Sequence, residues 1–386
     1  DQSLGTWTKS GRSAIAPMVI AAFGNAIQRP LLRTGTDAGM TTEYGPSRSY
    51  ALNHVAVVGL DFHSHTYTGN PGSTGINWRM PGANLLIEDC RFTGYRNNLS
   101  IQGFANSAAS SLDGLLLRRC VVVDAYSTAS HSQGLYMSDV NNAVIEECLF
   151  DHNGWNEAVP DAEATVYNRN IYIARSCGPV TLRGNILARS ASEGVQMRSG
   201  GLCEDNLFLQ NSTGVLLGQW QAVWPDEAVA GVIRNNVVLD ARDIHTSGRG
   251  WGIQLQQVST AEVTGNIVAH QSSGTANIAG ISVEYNYVDV TIRSNIVYNW
   301  AGAADTTKYA LQFSGTPRGT VLVDSNVFQQ PIGGSLIRHS IELNPSVFTY
   351  RANTYHSSLP APFSVSGVGT MSYSQWAAAA DDDASE

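Results

Sequence analysis

A short phrase recurs along this chain at intervals of about thirty residues, and no other feature limits the possible folds as strongly. It reads apolar, any, polar, small or polar, Asn or Cys, apolar, apolar. It occurs as LLIEDCRF, LLLRRCVV, AVIEECLF, VTLRGNIL, GLCEDNLF, GVIRNNVV, AEVTGNIV, VTIRSNIV and VLVDSNVF. Aligned on the Asn/Cys position, the column is Leu60, Cys90, Cys120, Cys148, Asn185, Asn206, Asn236, Asn266, Asn295, Asn326 and Asn353.

A second phrase lies between the anchors and alternates strictly. It runs through Leu99-Ser100-Ile101, Leu135-Tyr136-Met137, Ile171-Tyr172-Ile173, Val195-Gln196-Met197 and Val215-Leu216-Leu217. It continues through Ile253-Gln254-Leu255, Ile281-Ser282-Val283 and Leu311-Gln312-Phe313. Alternation of this kind describes a strand with one face in and one face out. A coil of about thirty residues cannot bury its inner face alone, and stacking on its neighbours supplies the core.

This grammar resembles the right-handed parallel β-helices of the pectate-lyase-like superfamily. The resemblance implies an all-β, right-handed parallel β-helix solenoid of about ten or more coils, with the Asn column as an inward amide ladder. Leucine-rich repeats are the rival solenoid, but their LxxLxLxxN signature is missing. We expect the β-helix to span 50–355. Residues 1–49 read as an N-terminal coil or cap region; 16–35 resembles an early coil that a preceding coil would cover, so part of the cap is expected to be missing. Residues 356–386 read as a cap edge running into a disordered acidic tail.

Cys90, Cys120 and Cys148 share the anchor column in consecutive coils, so they are expected inside as thiols, with a disulfide between stacked coils as the alternative. The five cysteines include no CxxC pair. Only 14% of residues are charged and 43% are apolar, which disfavours coiled coils and disorder alike. A net charge of −9 and the lack of a basic stripe disfavour nucleic acid as a partner. No apolar run is long enough for a transmembrane helix, so no membrane is expected.

The outward positions of the repeated strand are rich in amides, hydroxyls and tyrosines, which suit sugar hydroxyls. Between residues 124 and 198 they are joined by imidazoles and guanidiniums. We therefore expect the catalytic groups among Tyr136, His131, His152, Arg198, Tyr172, Arg189 and Glu193. Substrate-binding groups are expected at Gln196, Trp155, Asn170, Arg169, Gln254 and Trp220. The longest interval between anchors holds DHNGWNEAVPDAEATVYNRN, 151–170, which would wall the cleft. A neighbouring arginine is expected to lower a tyrosine pKa by favouring the phenolate.

The expected substrate is a polysaccharide or oligosaccharide, and the expected location is secreted or periplasmic. The leading function is a lyase that cleaves a uronic-acid-containing polysaccharide by β-elimination. Arginine would neutralise the carboxylate, and Tyr and His would serve as base and acid. The resemblance implies that many such lyases use a Lys/Arg pair with Ca²⁺, but no lysine falls in this cluster. No cofactor is expected; Asp161 and Glu163 could bind Ca²⁺, but without EF-hand-like spacing. One alternative is a glycoside hydrolase using Asp151, Glu157, Asp161, Glu163 or Glu193. A second is a non-catalytic glycan-binding solenoid.

Overall fold

A computed structural model describes residues 1–24, 27–42, 51–103, 110–220, 222–244, 249–271, 278–301 and 307–382. The chain divides into two compact units, Asp1–Ser199 with 245–247, and Gly200–Ile244 with Gly248–Glu386. Residues 245–248 lie outside the described residues. Both units are built of parallel β-coils.

One coil of the first unit shows how the sequence phrases fold. The alternating phrase forms the strand Asn97–Gln102, with Leu99 and Ile101 fully buried. The anchor phrase then supplies Leu112–Arg118 and, past a corner, Val121–Val123. Each strand pairs in parallel with the equivalent strands of the coils before and after: Leu99 lies between Ile76 and Leu135, and Val122 between Phe92 and Phe150.

Two left-handed residues make the corners. Asp89, Arg119 and Glu147, each immediately before an anchor cysteine, have φ of 52°, 54° and 54°. Asp124, His152 and Arg189, four residues past the anchors, have φ of 57°, 57° and 45°. A non-glycine residue in this region costs about 1–2 kcal/mol. The anchor side chains offset that cost by hydrogen-bonding the main chain on either side of the bend.

Cys120 and Cys148 donate to the Ile87 and Leu117 carbonyls, and Cys148 N–H donates to Asn185 Oδ1 at 3.0 Å. The cysteines are free and buried, as the inward column requires. Burial pushes the Cys120 thiol well up and Cys177 up to about 12.

In the second unit the column is all asparagine. Asn206, Asn236, Asn266, Asn295 and Asn326 each donate Nδ2 to the next Oδ1 at 2.9–3.0 Å, ending on Asn353. Here the first two strands of a coil merge, as in Trp251–Thr264 and Ala279–Arg293, with a register shift between Gln256 and Val258.

Parallel pairing continues on both sides of 50–355. Met18–Ala21 already pairs in parallel with Val55–Val58, and Leu31–Arg33 with Asp61–His63. The boundary at 49–50 itself lies outside the described residues. At the C-terminus Phe363–Val365 pairs with Ile337–His339, and a helix, Tyr373–Ala380, follows. Ser372 and Gln375 form a capping box, Trp376 is fully buried, and Asp382 accepts from Tyr355 and the Trp376 indole. Residues 383–386 lie outside the described residues.

Candidate active site

The outward face of the repeated strand in the first unit carries a cleft of about 580 Å³. Its floor is a row of five strands. One line across them, in strict register, is Asn77, Ser100, Tyr136, Tyr172 and Gln196. A second line is Thr74, Asn97, Gln133 and Arg169, and a third starts with Arg79, Gln102 and Ser138. Arg198 follows the fifth strand, Glu193–Met197, and donates its backbone N–H to Ile173.

The aromatic centre of the floor is Tyr136 stacked on Tyr172, with ring centroids 5.5 Å apart and planes within 9°. Two guanidiniums flank Tyr172: Arg169 at 5.0 Å and Arg198 at 4.9 Å from its centroid. Beneath them Glu193, almost fully buried, faces Arg169 Nε at 2.7 Å. That contact is an ion pair whose N–H is not aimed at the oxygen, so it neutralises charge without satisfying either atom.

The wall comes from loops that precede successive strands of the row. Tyr67 and Tyr126 pack at 5.1 Å with Ala162 beside them, and the Tyr126 hydroxyl donates to the Tyr67 carbonyl. Asn168 accepts from Ser132 N–H and donates to the Gly154 carbonyl. The Tyr167 carbonyl collects Gln133 Nε2 and Arg169 Nη1, each at 2.8 Å, which fixes the Tyr167 ring in a stack on His131 with centroids 5.0 Å apart. Arg96 completes the lining.

The electrostatics are one-sided. Arg79, Arg96, Arg169 and Arg198 line the cleft, and none of its described lining residues is Asp or Glu. Burial pulls the Arg198 pKa down, against the pull of Tyr172. Burial pushes the Tyr136 phenol up, against a hydrogen bond from Ser138. That reverses the expected lowering by arginine: desolvation of the phenolate outweighs any cation nearby. Tyr136 is thus held protonated and suited to donate.

The structure brings Tyr136, His131, Tyr172, Arg169 and Arg198 to one cleft and sets the other expected residues elsewhere. Glu193 is under the floor. Gln196 is in the floor register but only 2% exposed, with its Oε1 lacking a hydrogen bond. Asn170 is fully buried; its Oδ1 accepts from Asn153 and its Nδ2 donates to Ala188, so it belongs to an internal amide ladder rather than to a substrate site.

His152, Arg189 and Trp155 do not line the cleft, because the left-handed corner turns His152 and Arg189 away from the strand face. They lock the 151–170 loop instead. Arg189 pairs with Asp151 through two bonds of 2.6 and 2.8 Å, and Trp155 donates to the Arg189 carbonyl. Gln254 and Trp220 belong to the second unit. Gln254 donates to Glu284 at 3.1 Å, and Trp220 is exposed.

Thr74, Asn77, Arg79, Arg96, Asn97, Gln133 and Tyr167 were not expected. The signal for Asn77 and Arg79 exists: Ile76-Asn77-Trp78 has the same alternation as Leu99-Ser100-Ile101. Among the described residues no group of three His, Cys, Asp or Glu side chains is placed to hold a metal. No described helix is long and apolar enough to cross a membrane.

The lock carries its own pH dependence. His152 Nδ1 meets Asp124 at 2.7 Å and Nε2 meets Glu157 at 2.8 Å. Burial opposes charge on His152, but the two carboxylates outweigh it and raise its pKa. A raised folded pKa gives stabilisation that is complete below the ordinary imidazole value of about 6.5 and is lost as pH rises through the folded value. Proteolytic nicking between Trp155 and Tyr167 should therefore quicken as pH climbs above the ordinary imidazole value, relative to a His152→Gln variant whose rate lacks that component. Parallel pH profiles for the two proteins would remove the imidazole from the lock.

The comparisons agree with this architecture. The sequence model of the family described as "Right handed beta helix region" matches residues 53–224. The chain folds as a right-handed parallel β-helix. Among solved structures it is similar to a double mutant of the periplasmic alginate epimerase AlgG, at 12% identity and a TM-score of 0.52, over 85% of this chain and 73% of that one. It is also similar to a mutant tailspike of E. coli bacteriophage HK620 in complex with a hexasaccharide. There the identity is 15% and the TM-score 0.51, over 98% and 69% of the two chains. No curated protein sequence matches the chain.

Proposed function

We propose that this protein is a secreted or periplasmic polysaccharide lyase that cleaves a uronic-acid-containing polymer by β-elimination in the cleft over Tyr136 and Tyr172. The observation that carries the reading is the charge of the cleft: four arginines and no carboxylate among its described lining residues. Such a site favours an anionic chain, although the protein as a whole carries −9. A hydrolase would need paired carboxyls at the scissile bond. Here Asp151 is tied to Arg189, Glu157 to His152, and Glu193 to Arg169 beneath the floor, and Asp161 and Glu163 are not among the residues lining the cleft. The fold is shared with an alginate epimerase and with a tailspike crystallised with a hexasaccharide, which is in keeping with a carbohydrate substrate.

In this reading Arg198 neutralises the uronate carboxylate and so stabilises the charge that develops when C5 loses its proton. His131, exposed at the cleft edge, takes that proton. The electron pair forms the C4–C5 double bond and the C4–O bond breaks. Tyr136, held protonated, gives its proton to the leaving oxygen.

Digestion of a polysaccharide panel tests this. Elimination leaves an unsaturated uronate with its own ultraviolet absorbance, one per new reducing end. New reducing ends without that absorbance would mean hydrolysis. Exchange of the C5 proton with solvent deuterium without cleavage would mean epimerisation.

A further inference from the structure

We propose that the cleft selects a glycan whose acidic residues are separated by uncharged sugars, gripping it at two cationic ends with a neutral middle between them. The inference rests on the reading of this cleft as a glycan site and adds the charge pattern of its ligand.

The arginines are unevenly placed along the five-strand row. Arg79 ends the first strand, and Arg96 leads directly into the second, Asn97–Gln102. Arg169 opens the fourth, Arg169–Ile173, and Arg198 follows the fifth. The third strand, Gln133–Ser138, contributes amide, phenol and hydroxyl groups and no ionised side chain. The Arg198 guanidinium lies over Tyr172 of the fourth strand, so from the second strand to it is two strand steps, or roughly 10 Å at about 4.8 Å per step. That is the length of a few sugar units.

Both ends hold a group that lacks a partner. The Nε atoms of Arg96 and Arg198 are buried without a hydrogen-bond acceptor. A desolvated guanidinium N–H left unpaired is costly, and a ligand carboxylate meets the guanidinium fork with two charge-assisted bonds. At the far end Arg169 is already neutralised by Glu193, so Arg198 is the cation that remains for the ligand. A homopolymer of uronates would set a carboxylate over every part of the row. Those above the third strand would find only neutral donors, having lost their water to the cleft.

The test is calorimetric binding at low salt. The probes are a homopolyuronate, a repeat polymer with one uronate per few neutral sugars, and a neutral glycan of matched length. The proteins are wild type, Arg96→Gln and Arg198→Gln, with Arg96→Lys and Arg198→Lys as variants that keep the charge but lose the fork.

Wild type should bind the spaced polymer at least about tenfold more tightly than the homopolyuronate, and each Gln variant should lose about tenfold on the spaced polymer. The Lys variants should lose less. If the homopolyuronate binds as tightly or more tightly, and the Gln variants still lose affinity, the spacing inference is overturned while the glycan reading stands. If no probe binds, or the neutral glycan binds equally and the variants change nothing, both are overturned.

Discussion

Arg198→Ala should lower kcat/KM on a cleavable uronate polymer by about a hundredfold to a thousandfold, the loss typical of removing one preorganised donor from a developing oxyanion. The same change should leave folding stability within about 1 kcal/mol of wild type. The two expectations follow from one geometry. Arg198 is half-buried beside Tyr172, with Arg169 as a like-charged neighbour and its own Nε unpaired. A charge held in that way stabilises little in the free protein, so its removal costs the fold almost nothing and the transition state a great deal.

Tyr136→Phe should lose about 10²–10⁴-fold, because the ring stack on Tyr172 survives and only the proton donor is lost. Steady-state kinetics with a thermal melt on each variant checks both. A drop in Tm that matches the activity loss, or wild-type turnover in both variants, would place the chemistry elsewhere.

Asn266→Ala should cost about 3–4 kcal/mol, because several buried groups lose their partners together. Asn266 Oδ1 accepts from Asn236 N–H at 2.9 Å and from Asn236 Nδ2 at 3.0 Å. Its Nδ2 donates to the Ile233 carbonyl and to Asn295 Oδ1, both at 2.9 Å. Neither water nor a neighbouring side chain can replace an amide sealed between two coils. The outward Glu262→Ala, in the same coil, should stay within about 0.5 kcal/mol. Urea unfolding of the pair gives the comparison directly. Equal midpoints would mean that the ladder is packing filler rather than a structural support.

The residues legible in the sequence were those with a period. Leu99, Ile101 and Val122 point inward because alternation sets the side of a strand, and the Asn and Cys anchors stack because each coil repeats the same corner. Tyr136, Tyr172 and Arg198 were found for a related reason: outward positions of a repeated strand must form a row. Positions outside the repeat gave no such handle. His152 and Arg189 occupy a left-handed corner, and the direction of a side chain from a corner depends on the backbone turn rather than on residue counting. Asn170, one residue before the alternating phrase, is drawn inward by Asn153, a partner seventeen positions away that no local pattern announces.

The repeat by itself determined the β-helix, its inward columns and the polar face that carries the cleft, because strand alternation and coil stacking act between residues at fixed separations. Only the tertiary structure decided which coils line the cleft. Arg96 reaches the cleft from the position just before an alternating strand, outside the repeated phrase. Loop 151–170 contributes Tyr167 and Arg169 while keeping its histidine and two of its four acids, Asp151 and Glu157, for its own lock. Those choices rest on contacts between loops of unequal length. The closure of each loop is set by whichever carbonyl, carboxylate or ring the stacked coils bring within reach, and that reach is a property of the assembled stack.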